Sequence, residues 1–354
     1  MNLSKVDQAS LIYLDNAFYH NASFVAVWGV AAVLNLLVIV TVARTPKLHS
    51  KTWLLLTNLA LADMVYAAQF GARSVWRVAS ALQGYPVTVT KWKCLQVVFF
   101  DLGLARASIA LTLAVAADRF LLVAFPVYYR YKLKKLYLAT VLCMAWGDGV
   151  VHALLLVALN GNYSSPVPFC MTGRVVTSSV RKFQQTKLVV QNSVVVALYG
   201  AQLLLLEGKI LLAKFKGSDV KQVKTALQAK TSRSIGVVVA VFIFTTYARS
   251  LLILVARVFG SPQLLHKTLT NAVYLMALNN GANFFVFASL VADFRNGFRA
   301  LFRQDGEAAA NKVHPSAPAT SRRQCQVAPG VWHTNKEAAD GQTVTARRNQ
   351  QYRV

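Results

Sequence analysis

Seven runs of mostly apolar residues follow one another along this chain: Phe24–Ala43, Trp53–Ala72, Cys94–Val123, Leu136–Leu159, Leu188–Leu206, Ser234–Ala256 and Thr268–Ala292. Each is about the 20 residues a helix needs to cross a bilayer. Backbone in hydrocarbon must satisfy its own hydrogen bonds, so runs of this kind fold as helices. The fold class is therefore an all-α membrane protein, a bundle of seven transmembrane helices. Only 14% of residues are charged, against about 25% in an average soluble domain. The formal charge of +25 would suggest nucleic acid if it formed one basic domain. It lies instead between and after the apolar runs, so the expected partner is a lipid bilayer and not nucleic acid.

Loop charge sets the orientation. Arg44, Lys47 and Lys51 follow span one, Arg130, Lys132, Lys134 and Lys135 follow span three, and a basic stretch from Lys209 to Arg233 follows span five. The loops after spans two and six carry few cations, while the loop after span four, with Arg174, Arg181, Lys182 and Lys187, goes against the trend. The balance places the N-terminus outside and the C-terminus in the cytosol. Met1–His20 has no apolar core and reads as lacking a cleavable signal, which leaves residues 1–23 as an extracellular segment ahead of a membrane domain at 24–292. Sequons at Asn2, Asn21 and Asn162 all fall on the expected outside and read as glycosylation acceptors. Phe294, Phe298 and Phe302 recur every four residues, as do Arg295, Arg299 and Arg303. That pattern predicts a short amphipathic interfacial helix over 293–303. Residues 304–354 are polar without periodicity and read as a disordered cytoplasmic tail with a free thiol at Cys325.

Polar groups inside spans are costly and usually functional. Asp101, Ala105, Ser108, Thr112, Val115 and Arg119 recur at spacings of four and three, one stripe of a helix. Asp101 sits 18 residues before Arg119, about 27 Å along the axis. Arg73, Arg77, Arg106 and Arg249 lie within or near the membrane, and any could neutralise Asp101. Arg106 is about 140° away round the same helix, so Arg73 or Arg249 fits better. His152 and Asp148 form an i, i+4 pair, but no nucleophile is placed with them. There is no metal-ligand spacing and no phosphate loop, so an enzyme is not expected.

The polar residues fall in a known order. Asn35 lies in span one, Asn58-Leu59-Ala60-Leu61-Ala62-Asp63 in span two, and Asp118-Arg119-Phe120 ends span three, 25 residues after Cys94. Pro126 and Tyr129 follow, Trp146 lies in span four, and span seven carries Asn279-Asn280 and Asn283-Phe284-x-x-Phe287 before Asp293-Phe294-Arg295. From about residue 24 to residue 303 the chain resembles a divergent rhodopsin-like (class A, family 1) G-protein-coupled receptor, of the kind seen among invertebrate receptors and chemoreceptors.

The resemblance implies a plasma-membrane receptor that binds an extracellular ligand and signals to a heterotrimeric G protein. It implies a disulfide between Cys94 and Cys170. It implies no required cofactor, but a sodium site at Asp63, Ser108, Asn279 and Asn283, with Asn35 in the same network. The other reading there is a protonated Asp63 in an ordinary hydrogen-bond network. It makes Asp118, Arg119, Pro126, Asn283 and Phe287 part of the switch, with Tyr199 a candidate to support Arg119 when active. It offers Asp101, Arg73 and Arg249 as ligand contacts. An aspartate at this place pairs with amines in some relatives, though Ala277 stands where those relatives offer a tyrosine. The arginines could equally receive a carboxylate.

Departures are several. Span six lacks the family's Cys-Trp-x-Pro, reading Phe242-Ile243-Phe244-Thr245-Thr246-Tyr247. Span seven lacks the bending proline and the tyrosine hydroxyl. No Asp or Glu occurs from Val220 to Ala292, so only Asp118 is expected to restrain Arg119, which predicts a loose resting state with raised basal signalling. A seven-span transporter or channel is the alternative, although neither internal repeats nor broken helices are visible. A decoy receptor that binds without signalling is another.

Overall fold

The computed structural model describes residues 3–83, 88–131, 135–159, 166–168, 170, 176–215, 237, 241, 243–259 and 262–310. Two compact units divide at residue 305, Met1–Asp305 and Gly306–Val354, and the described part of the second is the helical stretch 306–310.

Helix α1 spans Leu3–Arg44 and α2 Lys51–Leu82, joined through a 3-10 turn at Pro46–Leu48. After strand β1 (Thr88–Thr90) come α3 (Lys91–Ala124), the short α4 (Pro126–Tyr131) and α5 (Lys135–Leu159). Strand β2 (Pro166–Pro168), α6 (Ser178–Phe215), a π-turn at Ile243–Tyr247 and α7 (Ala248–Phe259) follow. The last helices are α8 (Pro262–Leu290) and α9 (Ala292–Ala310). Among the described residues, six helices are long and apolar enough to cross a membrane, and Phe244–Ala256 is a shorter apolar helix. Those six answer to spans one to five and seven. The shorter one is the part of span six that lies continuously within the described residues.

Three boundaries differ from the expectation. Residues from Leu3 onward are already helical, because no Gly or Pro interrupts the chain before Phe24. Helix α8 stops at Leu290, and the chain turns at Val291 before α9. Arg295 closes that turn by donating to the carbonyls of Ala288 (3.4 Å) and Ser289 (3.1 Å), which are left over at the helix end. Finally, α9 runs to Ala310, so Gln304–Ala310, expected in the tail, are helical. Glu307 and three alanines are strong helix formers there, a signal that needs no amphipathic period.

Helix α3 is the axis, packing against α2, α5 and α6, while α1 packs on α2 and α8. Its approach to α5 is close because two glycines meet: a Cβ on Gly149 would lie 2.5 Å from the Gly103 carbonyl oxygen. At the Cys94 end, Thr90 caps α3 by accepting from the Lys93 amide. There β1 and β2 pair antiparallel, Val89 opposite Val167, and the expected disulfide joins Cys94 to Cys170. At the Arg119 end, Phe294 of α9 is fully buried among Phe284, Phe287 and Leu55. It stacks on Trp53 at 5.9 Å with the rings 7° from parallel. The residue after it on the same face, Phe298, packs at 5.1 Å on Phe284. The apolar stripe of α9 thus anchors on the bundle.

Candidate functional site

The stripe on α3 meets a different partner at each level. At the top, buried Asp101 forms an ion pair with Arg73 of α2, and the Arg73 guanidinium lies 4.9 Å over the Phe70 ring. Arg249 does not join them. Arg106 points elsewhere, donating to the Gln184 carbonyl of α6 at 2.7 Å. Asp148 pairs across to Lys187 of α6 at 2.5 Å and not with His152 on its own helix. Arg77 donates to the Cys170 carbonyl and, at 3.5 Å, to the Asn21 side chain. Asn21, one of the three sequon asparagines, is buried within α1. Asn2 and Asn162 lie outside the described residues.

One turn below Asp101 a small cavity opens between α3, α6, the π-turn, α7 and α8. Ala105, Ser108, Ile109 and Thr112 line it from α3, Asn192 from α6, Thr246 and Arg249 from the span-six segment, and Met276, Asn279 and Asn280 from α8. The cavity is small, about 30 Å³. Arg249 is 8% exposed. The walls are held by cross-links: Asn192 donates to the Ser250 hydroxyl at 3.1 Å, and Ser250 donates to the Thr246 carbonyl at 2.8 Å.

Of the four residues expected around a sodium ion, Ser108 and Asn279 line this cavity. Ser108 does donate to Asp63, at 2.6 Å. Asn279 instead accepts from Thr245 of the π-turn at 2.8 Å. Asn35 donates to the Asn280 carbonyl at 2.9 Å, tying α1 to α8 rather than joining Asp63. Among the described residues no hydrogen bond links Asn283 to Asp63. Oxygen donors suit a hard cation, and within the expected set Ser108 and Asp63 are hydrogen-bonded to each other.

At the lower end, Asp118 is fully buried and bound twice, by Thr52 of α2 at 2.7 Å and by Tyr129 of α4 at 2.8 Å. Burial and the neighbouring Asp118 push the Tyr129 hydroxyl up to about 12, so it stays a donor at neutral pH. Pro126 opens α4, where a missing N–H costs nothing, and Phe125 before it leaves the helical conformation, at φ −129° and ψ 62°. This turn carries Tyr129 back over Asp118. The expected restraint of Arg119 by Asp118 is absent: among the described residues no ion pair joins them. Gln202 of α6 donates to the Arg119 carbonyl at 3.3 Å. Tyr199 packs on Ala116 and Val195, one turn before Arg119. Phe287 packs edge-on against Trp53 and Phe294, in an aromatic cluster.

Thr52, Asn192, Gln202, Thr245 and Thr246 were missed from the sequence. A helical threonine can satisfy its hydroxyl on the carbonyl four residues back, so threonines in apolar runs carry no alarm. Asn192 and Gln202 did offer a signal, as uncharged amides, with Gln191, in the mostly apolar fifth span.

Comparison with known proteins converges on one group. The family model described as serpentine type 7TM GPCR chemoreceptor Srsx matches residues 28–302. The chain is 28% identical over 157 residues to olfactory receptor 4K3 of Homo sapiens, covering 44% of this chain and 47% of that receptor. It is 27% identical over 148 residues to olfactory receptor 4L1 of Homo sapiens (42% and 45%) and 23% identical over 173 residues to olfactory receptor 1J1 of Mus musculus (47% and 54%). The chain spans about half the length of the curated relatives it matches. With a family match across most of its membrane bundle, the chain belongs to the serpentine type 7TM GPCR chemoreceptor Srsx family, a divergent chemoreceptor-type branch of the rhodopsin-like receptors.

Proposed function

We propose that this chain is a plasma-membrane chemoreceptor, N-terminus outside and C-terminus in the cytosol, that binds a small extracellular molecule and activates a heterotrimeric G protein. The observation that carries the reading is that one helix, α3, lines a polar intramembrane cavity at Ser108 and Thr112 and carries Arg119 in its last turns. A ligand that fits the cavity in only one arrangement of α6 and the span-six segment shifts the population toward it. The π-turn at Ile243–Tyr247 supplies the local irregularity that a proline gives elsewhere. Asp101 is an arm of this site through its pair with Arg73, and Arg249 is the arm that faces the cavity directly.

Sodium enters the reading in reduced form: Asp63 and Ser108 would supply two oxygens and water the others. The test is G-protein activation in cells expressing the full chain, challenged with a panel of small volatile and water-soluble molecules. Ligand-evoked activation that Arg119→Ala abolishes supports the receptor. A ligand-gated current that survives Arg119→Ala sinks it in favour of a channel. Binding without activation by any G-protein class makes the chain a decoy.

A further inference from the structure

Among the described residues, the cavity lining holds a cation, Arg249, and no residue of opposite sign. Arg249 is buried, its Nε has no hydrogen-bond partner among the described residues, and no acidic residue lines the space. The nearby acids are already engaged, Asp101 by Arg73 and Asp63 by Ser108. The Thr246 hydroxyl, a second lining group, is also buried without a partner. An unpaired charge in a low-dielectric site is costly. A fork of N–H donors on a planar cation matches a carboxylate best. The space is small, and Met276, Ile109 and Ala105 are the apolar members of its lining. Resting on the receptor reading above, we propose that the ligand is a compact organic carboxylate, its head group seated on Arg249 and Thr246 and its short alkyl part against Met276 and Ile109.

The test uses the full chain purified in lipid nanodiscs. Thermal stability is measured with propionate, 1-propanol and propylammonium, three ligands of like size and different charge, and with chloride alone. Propionate at about a hundredfold over its Kd raises Tm by about 5 °C, the other two organic ligands do not, and Arg249→Gln removes the shift while Arg249→Lys keeps part of it. An equal shift with 1-propanol, propylammonium or chloride, no shift with propionate, or a propionate shift unchanged in Arg249→Gln overturns the proposal. If Arg249→Gln does not fold, the comparison of the three ligands on the unaltered chain decides. The readout does not pass through a G protein. A propionate shift without cellular activation therefore keeps the site and rejects the receptor, and activation by 1-propanol alone does the reverse.

Discussion

The Asp118 carboxylate accepts a hydrogen bond from the Tyr129 hydroxyl at 2.8 Å, across a turn that opens at Pro126, while the adjacent Arg119 makes no ion pair with it among the described residues. Two neutral donors, Tyr129 and Thr52, thus occupy the acid that the sequence reserves for the arginine. Each such bond to a charged group contributes about 1.5–3 kcal/mol. Tyr129→Phe frees one oxygen for Arg119, so basal second-messenger output falls below that of the unaltered chain. The comparison needs equal surface expression of both. Output that rises or holds in Tyr129→Phe means Asp118 does not compete for Arg119. Equal output in cells with and without the unaltered chain removes the premise of basal activity.

Asp101 and Arg73 are each the other's only ion-pair partner among the described residues, and both are nearly buried. Asp101→Ala leaves Arg73 charged and alone, a loss of about 3–5 kcal/mol on the scale for broken buried pairs. Removing both charges, in Asp101→Ala with Arg73→Met, recovers much of that loss. Thermal stability of the two single variants and the double gives the coupling. Additive losses mean that the pair contributes nothing as a pair. An amine ligand at Asp101 would have to displace Arg73, so propylammonium binding that Asp101→Ala abolishes would favour the amine-receptor expectation instead.

The bundle was legible because length and apolarity alone force helices, and the stripe on α3 placed Asp101, Ser108 and Arg119 at successive levels of one helix. Even partners were partly legible: the positions of the charges narrowed the partner of Asp101 to Arg73 or Arg249, of which Arg73 pairs with it, and depth pointed to Ser108 for Asp63. What periodicity cannot supply is rotation between helices. Asn279 lies at the expected depth yet faces Thr245. The π-turn also adds a residue to one helical turn, which rotates everything beyond it by about 100° relative to a straight helix. Arg249 lies just past that turn, and its place in the cavity follows from an irregularity that no residue pattern announces.

Gly149 and Gly147 make a controlled pair on α5. A Cβ at Gly149 would meet the Gly103 oxygen at 2.5 Å and the Ala107 side chain at 3.2 Å, whereas one at Gly147 meets nothing within 4 Å. Backbone cannot yield as a side-chain tip does, so Gly149→Ala pushes α5 off α3 and costs about 1–3 kcal/mol. Gly147→Ala adds helix propensity without a clash and is neutral or slightly stabilising, by up to about 1 kcal/mol. Surface expression and Tm of the two variants check this. Equal loss in both would show that helix-interior glycine matters here for reasons other than the α3–α5 approach.

The Asp63–Ser108 bond separates the two readings of that acid. An ion held by Asp63, Ser108 and water stabilises the folded bundle by a term that grows with the logarithm of sodium concentration above Kd. A carboxyl in an ordinary network has no such term. Tm of the full chain in nanodiscs is therefore expected to rise when N-methylglucamine is replaced by sodium, and Asp63→Asn to be flat across the same exchange. Ser108→Ala removes the one hydrogen-bond donor seen on Asp63, at 2.6 Å, and costs about 1–3 kcal/mol in sodium-free buffer. With two protein oxygens in contact, the sodium response of the unaltered chain is weaker than four would give. A flat response in the unaltered chain eliminates the ion. A sodium response that persists in Asp63→Asn places the ion elsewhere in the bundle, since an amide offers one weak oxygen where the carboxylate offers two charged ones.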